Sequence, residues 1–347
     1  MFKRKEESSL TDRYSRQQLF KQIGLKGQEK IRNKHVLIVG VGALGSAGAE
    51  AFVRAGIGKL TVIDRDYVEW SNLQRQQLYN ENDAEDQTPK AVAAEKHLRQ
   101  INSEVEINAL VMDANPHNLE SLLSDVDVMI DGTDNFDIRF ILNDLSHKYN
   151  IPWIYGSCVG SYGATYTVIP GRTPCLHCIL KKVSTGGATC DTTGIISPAV
   201  QIVSAYQVAE ALKILVDDFA TLRTTFLTFD VWSNHYYSIK LEKIKKEGCP
   251  TCGATRTYPY LSYQNQIKTE VLCGRNTVQI RPPRNKEYSL DQIKKLLKNH
   301  GTVTSNPYLL SCQLENYRLV MFRDGRVFIH GTNNIQLAKS LYYRLLG

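Results

Sequence analysis

The chain has 347 residues, 42% of them hydrophobic, and a formal net charge of +7. This length and apolar content support one large domain plus a smaller one and exclude a disordered chain. No apolar run reaches the roughly 18 residues of a membrane span. The opening MFKRKEESSL lacks the apolar stretch of a signal peptide, so the expected location is cytoplasmic. The basic residues are scattered, without a Lys/Arg run or a nucleic-acid module. The surplus therefore suits an acidic protein partner or an anionic nucleotide, with no role for nucleic acid or membrane.

From Val36 to about Val168, apolar strands alternate with helical stretches. The expected strands are HVLIVG, KLTVID, VEINAL, VDVMIDG and PWIYGSCV, with helices between them such as TPKAVAAEKHLRQI. This pattern predicts an α/β fold, a Rossmann-like doubly wound sheet whose ligand crevice lies beyond the carboxyl ends of its strands. At residues 36–48, VLIVGVGALGSAG, the apolar run meets Gly40, Gly42, Ala43 and Gly45. Such a turn opens a helix whose free N–H groups face a phosphate. Taken alone it suits NAD, FAD, SAM or ATP, or a tight turn with no ligand.

The strand ends narrow the choice. Asp64 lies 24 residues after Gly40, where a carboxylate takes ribose hydroxyls. In DRDYVEWSNLQRQQLY, Asn72, Gln74 and Arg75 follow where polyphosphate would lie, and Lys90 begins the next helix. Asp134 and Asn135, in DGTDN, approach from the opposite side. Singly, Arg75 or Lys90 reads as a solvated charge and Asp134 as a helix cap. Together they are the parts needed to hold a nucleoside triphosphate and seat magnesium. An NAD-dependent oxidoreductase would need a hydride site with a catalytic His or Lys, whereas His35, His97 and His147 sit in packing contexts. A non-catalytic binding module would not need the whole set.

A second block follows. YGATYTVIPG (162–171) is an expected antiparallel strand, and STGGATCDTTG (184–194) a Gly/Thr-rich loop. Ser197 and Pro198 supply cap and first-turn chemistry for the helix AVQIVSAYQVAEALKIL, and TTFLTFDVWSNHYYSIKLE supplies further strands. Two CxxC knuckles, Cys175/Cys178 and Cys249/Cys252, are separated by 70 residues. They read as a tetrahedral structural zinc site that clips distant segments; the rival reading is a redox pair. After Gly253 come a linker (254–266), the strand NTVQIRPP, the helix SLDQIKKLLKNHG, a hairpin turning at RDGR and a closing helix NIQLAKSLYYRLL. The expected division is thus residues 1–253 and a small C-terminal α+β domain over 254–347. Cys158 and Cys312 read as packing residues; Cys273 is either packing or a sulfur-handling thiol.

RYSRQ (13–17), GVGALG, DRDYVEWSNLQRQ, TPK, DGTDN, the two knuckles and GGATCDTTG together resemble the ThiF/MoeB family, from residue 13 to about 253. Ala43 stands where many relatives have glycine. That family adenylates small β-grasp sulfur-carrier proteins and is related to the ubiquitin-activating enzymes. The resemblance implies that Asp64 binds ribose, that Asn72, Arg75 and Lys90 hold phosphates, and that Asp134 holds magnesium. It also implies a homodimer in which Arg16 reaches the neighbouring subunit's triphosphate, and zinc on Cys175, Cys178, Cys249 and Cys252. Cys190 matches a loop cysteine that in some members attacks the acyl-adenylate; the alternative is a surface thiol. The implied function is ATP-dependent adenylation of a carrier's C-terminal Gly-Gly, with pyrophosphate released. The loop at 186–201 favours a ThiS-type carrier (thiamine thiazole) over a MoaD-type one (molybdopterin), and a cysteine desulfurase is the candidate sulfur donor.

Overall fold

The computed structural model describes residues 13–180, 193–262, 269–272, 276–281 and 288–346. Cys190 and Cys273 lie outside them. An eight-stranded sheet runs in the order β3-β2-β1-β4-β5-β6-β7-β8. Its strands are β1 (His35–Val39), β2 (Lys59–Asp64), β3 (Glu106–Val111), β4 (Val128–Asp131), β5 (Trp153–Val159), β6 (Tyr162–Val168), β7 (Thr225–Asp230) and β8 (His235–Lys240). The first five pair in parallel and the last three antiparallel. The order reverses between β1 and β4, which places the switch-point crevice at the glycine turn.

β1 is buried throughout, because helices cover both faces of the sheet. Val36 and Ile38 join Leu60, Val62, Val128 and Ile130 in one core. Leu37 and Val39 join Ile63, Met129, Leu142 and Trp153 in the other. The helix Ser197–Leu215 crosses the strands at the switch point, where the Gln207 amide donates to the carbonyls of Asp131 and Ile154. Ser197 lies inside this helix behind Ile196, which occupies the cap position without a side-chain bond, so the expected serine cap is absent.

The expected linker is partly fixed to the helix Phe136–Tyr149 of the first domain. The Tyr260 ring stacks on Phe140 at 4.4 Å, and its N–H donates to the buried Asp144 carboxylate. Apolar aromatics in a Pro/Tyr-rich stretch give it a surface to hold, which a breaker-based reading overlooks. The remaining strands form a six-stranded antiparallel sheet, β11-β12-β13-β14-β10-β9. These are β9 (Thr269–Leu272), β10 (Thr277–Ile280), β11 (Thr302–Ser305), β12 (Leu309–Gln313), β13 (Arg318–Phe322) and β14 (Val327–His330). The sequence reading missed β9, β11 and β12.

Alternation gives this second sheet two buried faces. Leu310, Cys312, Leu319, Met321, Val327 and Ile329 pack on the helices Leu290–Leu297 and Ile335–Leu346. Leu309, Val320, Phe322 and Phe328 pack instead on Tyr67 and Val111 of the first domain. Cys158 and Cys312 are buried, as expected. Among the described residues no helix is long and apolar enough to cross a membrane.

His147 is buried, and neither ring nitrogen has a hydrogen-bond partner among the described residues. Burial, reinforced by Arg256 and Lys245, lowers its pKa from 6.5 to about 4. The unfolded chain therefore binds a proton between these values that the folded chain refuses. This contribution to stability is complete above the unfolded pKa and is lost as pH falls from about 6.5 towards about 4. Between pH 7.5 and pH 5 the wild type should lose about 2 kcal/mol through this group. Urea unfolding of His147→Phe at the two pH values should show a difference smaller by that amount; an equal difference in both proteins would refute it.

Candidate active site

The crevice begins with three glycines that touch. Gly40 has φ +87°, and a Cβ there would lie 2.7 Å from the Gly132 carbonyl. A Cβ on Gly45 would stand 1.8 Å from the Gly40 carbonyl, and one on Gly132 2.0 Å from the same atom. The turn after β1 is thus pressed against the turn after β4. Gly42 differs: a Cβ there would meet only the Gln76 side-chain amide, at 3.8 Å, which leaves its face open. Ala43 starts the helix Ala43–Ala55, whose first-turn amides point into the crevice. Ala43 packs on the apolar cluster that holds Leu44, Cys158 and Val200.

Asp64, at the end of β2, is buried and accepts from the Val41 and Asp66 N–H groups at 2.8 and 2.7 Å. Burial raises its pKa, and the Lys90 ammonium opposes this. Each carboxylate oxygen retains a lone pair for a ribose hydroxyl. Lys90 does begin its helix, but it is only 2% exposed and its Nζ lies 3.4 Å from Asp66 Oδ2. Part of its charge is therefore already balanced by an acid that the sequence reading did not single out.

Glu69 and Asn72 form a capping box around the short helix Trp70–Asn72. Asn72 Oδ1 accepts from the Glu69 N–H at 3.1 Å, while its amide nitrogen has a 3.5 Å contact with Ser71 Oγ. The Arg75 guanidinium donates to the Ser71 carbonyl at 2.8 Å. Gln74 reaches the Ile195 carbonyl instead, its amide 3.5 Å from it. The glutamine beside Gly42 is Gln76, which is buried and whose Oε1 has no partner among the described residues. Helical turn geometry between Asn72 and Gln76 decides this, since Gln76 N–H donates to the Asn72 carbonyl. Tyr79 was also missed. Its hydroxyl donates to the Val41 carbonyl at 2.6 Å and lies 3.2 Å from that of Lys90, tying the turn to the lysine.

On the other wall, Asp131 at the end of β4 is fully buried and pairs with Arg139 at 2.9 Å. Arg139 also donates to the carbonyls of Thr133 and Gly156 and lies over the Phe136 and Tyr155 rings. Despite burial, the Asp131 carboxylate holds its pKa above the usual arginine value. Thr133 bonds back to Asp131 through both N–H and hydroxyl. On the loop so fixed, Asp134 is exposed. Asn135 instead caps the helix Phe136–Tyr149, accepting from the Asp137 N–H at 2.7 Å.

Arg16 is exposed on the helix Ser15–Leu19. Its neighbour Gln17 donates to the Ala55 carbonyl, at the far end of Ala43–Ala55 from the glycine turn. A helix of that length places them about 18 Å apart, so Arg16 stands away from its own chain's site.

The four knuckle sulfurs come together although their pairs are far apart in sequence. All lie within 4.8 Å of one another and are buried, with Cys175–Cys249 at 3.5 Å and Cys178–Cys252 at 3.6 Å. A tetrahedron of sulfurs about 2.3 Å from zinc has edges near 3.8 Å, so the donor set fits that ion. Thr251, inside the second knuckle, donates to Asp144 at 2.6 Å and thereby anchors the cluster to Phe136–Tyr149.

The model of the ThiF family matches residues 14–251. The chain belongs to the ThiF family. Among ThiF-type relatives, the sulfur carrier protein ThiS adenylyltransferase of Bacillus subtilis is 51% identical over 339 residues, covering 97% of this chain and all of that one. The protein of that name from Escherichia coli is 33% identical, covering 71% of this chain and 97% of its own. A crystal structure of E. coli MccB with MccA-N7isoASN has a TM-score of 0.61 at 22% identity, covering 70% of this chain and 75% of that one. This last likeness concerns the fold.

Proposed function

We propose that this chain is an ATP-dependent adenylyltransferase, a nucleotidyltransferase that activates the C-terminal Gly-Gly carboxylate of a ThiS-type sulfur carrier. The observation that carries the choice of carrier is the 51% identity to a ThiS adenylyltransferase across nearly the whole chain, C-terminal domain included. The chemistry is supported by the open face of Gly42, with Gln76 beside it, and by the glycine contact that sets the loop bearing Asp134 against the turn after β1. A reducing, cytoplasmic setting suits the reduced cysteines.

In the reaction, a carboxylate oxygen of the carrier bonds to the α-phosphorus of ATP, the bond to the β-phosphate oxygen breaks, and pyrophosphate leaves. No protein base is required, because the carboxylate is ionised at neutral pH. Repulsion is the obstacle: two unit charges about 4 Å apart at an effective dielectric of ~20 repel by roughly 4 kcal/mol. Within one chain Asp64, Asp66 and Asp134 carry three formal negative charges against the two positive charges of Lys90 and Arg75. One chain is thus short of the positive charge that a triphosphate demands. Arg75, Asn72, Gln76 and the helix amides bind the phosphates, and Asp64 orients the ribose. Asp134 would hold magnesium, which when bound would supply charge neutralisation on the phosphates. The partner's Arg16, in a homodimer, supplies the remaining cation. Exposed Leu19, Phe20 and Leu25 beside that helix support such a contact.

Asp134→Ala and Arg75→Ala should each lower carrier-dependent ATP/pyrophosphate exchange by about 100-fold or more while melting temperature holds. Exchange near the wild-type rate in either protein would remove the assignment, and exchange with a MoaD-type but not a ThiS-type carrier would reverse the choice of carrier. Mixing inactive Arg16→Ala and Asp134→Ala subunits should restore about a quarter of wild-type activity, since half the dimers are mixed and each then holds one intact site. No recovery after subunit exchange would place Arg16 outside the partner's site. The purified chain should carry one zinc ion, and Cys252→Ser should lose it and melt on the order of 5–10 °C lower. Full metal content in that variant would exclude the cluster.

A further inference from the structure

The C-terminal sheet contacts the first domain on the segment that carries Asn72, Arg75 and Lys90, and it does so on both sides. At the start of the segment, Arg326 donates to the Arg65 carbonyl at 3.1 Å, one residue after Asp64. Arg318, on β13, donates to the Tyr67 hydroxyl at 2.9 Å and pairs with Glu69 at 3.3 Å. Glu69 is the residue whose side chain and N–H close the capping box with Asn72. Tyr67 is further held by His330 Nε2 at 3.2 Å and by the apolar contact with Phe322 and Phe328. At the other end, the Asn306 amide donates to the carbonyls of Asp86 and Gln87, at 2.9 and 3.3 Å. Gln87 has φ +49°, and Lys90 follows three residues later.

A neighbouring anchor reinforces the arrangement. Asp113, just beyond β3, pairs with Arg65 from its own domain and with Arg281 from the second, and accepts from the Gln279 amide at 3.0 Å. The guanidinium groups of Arg65, Arg281 and Arg326 outweigh the effect of burial and hold its carboxyl below the usual range. The interface therefore combines an apolar contact, centred on Tyr67, Phe322 and Phe328, with polar bonds that fall on backbone carbonyls, on Asp113 and on a cap.

We infer that the C-terminal domain is a clamp on residues 65–90, with Arg318 and Asn306 as positioning residues that hold the phosphate-binding side chains in register for ATP. Asn72 and Arg75 sit on a short helix and the turn after it, whose backbone bonds alone fix them weakly, while Lys90 opens the helix Lys90–Ile101 just after the stretch that Asn306 holds. Bracketing both ends lowers the entropy that ATP binding would otherwise have to supply. The inference rests on the nucleotide site proposed above.

The test uses the full chain with Arg318→Met, Asn306→Ala and the double substitution, and MgATP as the probe. Each single change should weaken MgATP binding about threefold and the double change about tenfold, with the rate at saturating ATP within about twofold of wild type. Hydrogen exchange should accelerate over residues 65–90 and stay unchanged over β5 and β6. Arg318→Lys should recover part of the affinity, since it keeps the charge without the fork. If Arg318→Met does not fold, Asn306→Asp decides, because it keeps the acceptor for the Tyr308 and Leu309 N–H groups and removes only the amide that donates to the Asp86 and Gln87 carbonyls. MgATP affinity within twofold of wild type in the double variant, or exchange that rises equally across both domains, overturns the clamp. Wild-type protein that binds MgATP but shows no pyrophosphate exchange would overturn the adenylation reading and leave the clamp standing.

Discussion

The close approach of two turns holds this molecule's chemistry in place. Gly40, Gly45 and Gly132 sit so near to one another that a methyl on any of them would overlap the Gly40 or Gly132 carbonyl. That contact brings the end of β1 against the end of β4 at the point where strand order reverses. Asp64 and the loop bearing Asp134 become opposite walls of one crevice because of it. Gly42, with open space above it, is the place where a phosphate can approach the helix amides.

Charge in the crevice is distributed unevenly, and burial explains how. The Asp131–Arg139 pair lies inside the protein, where an unpaired partner would be costly, so it rigidifies the DGTDN loop instead of meeting the ligand. Lys90 is likewise committed in part to Asp66. The cations left for a triphosphate within one chain are few, which is the physical reason for the proposal that magnesium and a second subunit take part. The same need for neutralisation accounts for a site built largely from amides, whose dipoles carry no desolvation penalty of a full charge.

Two further devices stabilise this arrangement from outside the crevice. The cysteine cluster joins segments 70 residues apart and is tied through Thr251 and Asp144 to the helix that Asn135 caps. The C-terminal sheet uses one face for its own helices and the other for the first domain. A two-layer unit with both sheet faces buried gains enough core to be stable at its modest size. Its polar bonds to Arg65, Glu69, Asp86 and Gln87 connect that core to the nucleotide segment.

The sequence alone determined the doubly wound sheet, the glycine turn, the four cysteines and the placement of Asp64 and Asp134 at strand ends. These are legible because each depends on local spacing: period and apolar runs mark buried strands, and glycine and CxxC mark turns. The tertiary structure decided what each polar group has left to offer. It turned Gln76 and not Gln74 towards Gly42, matched Lys90 with Asp66, gave Asn135 to a helix cap and revealed Arg139 and Tyr79 as supports. It also converted an appendage of unreadable purpose into a neighbour of the nucleotide segment. The physical reason is that hydrogen bonds and ion pairs join residues tens to hundreds of positions apart, and no local pattern records which donor finds which acceptor.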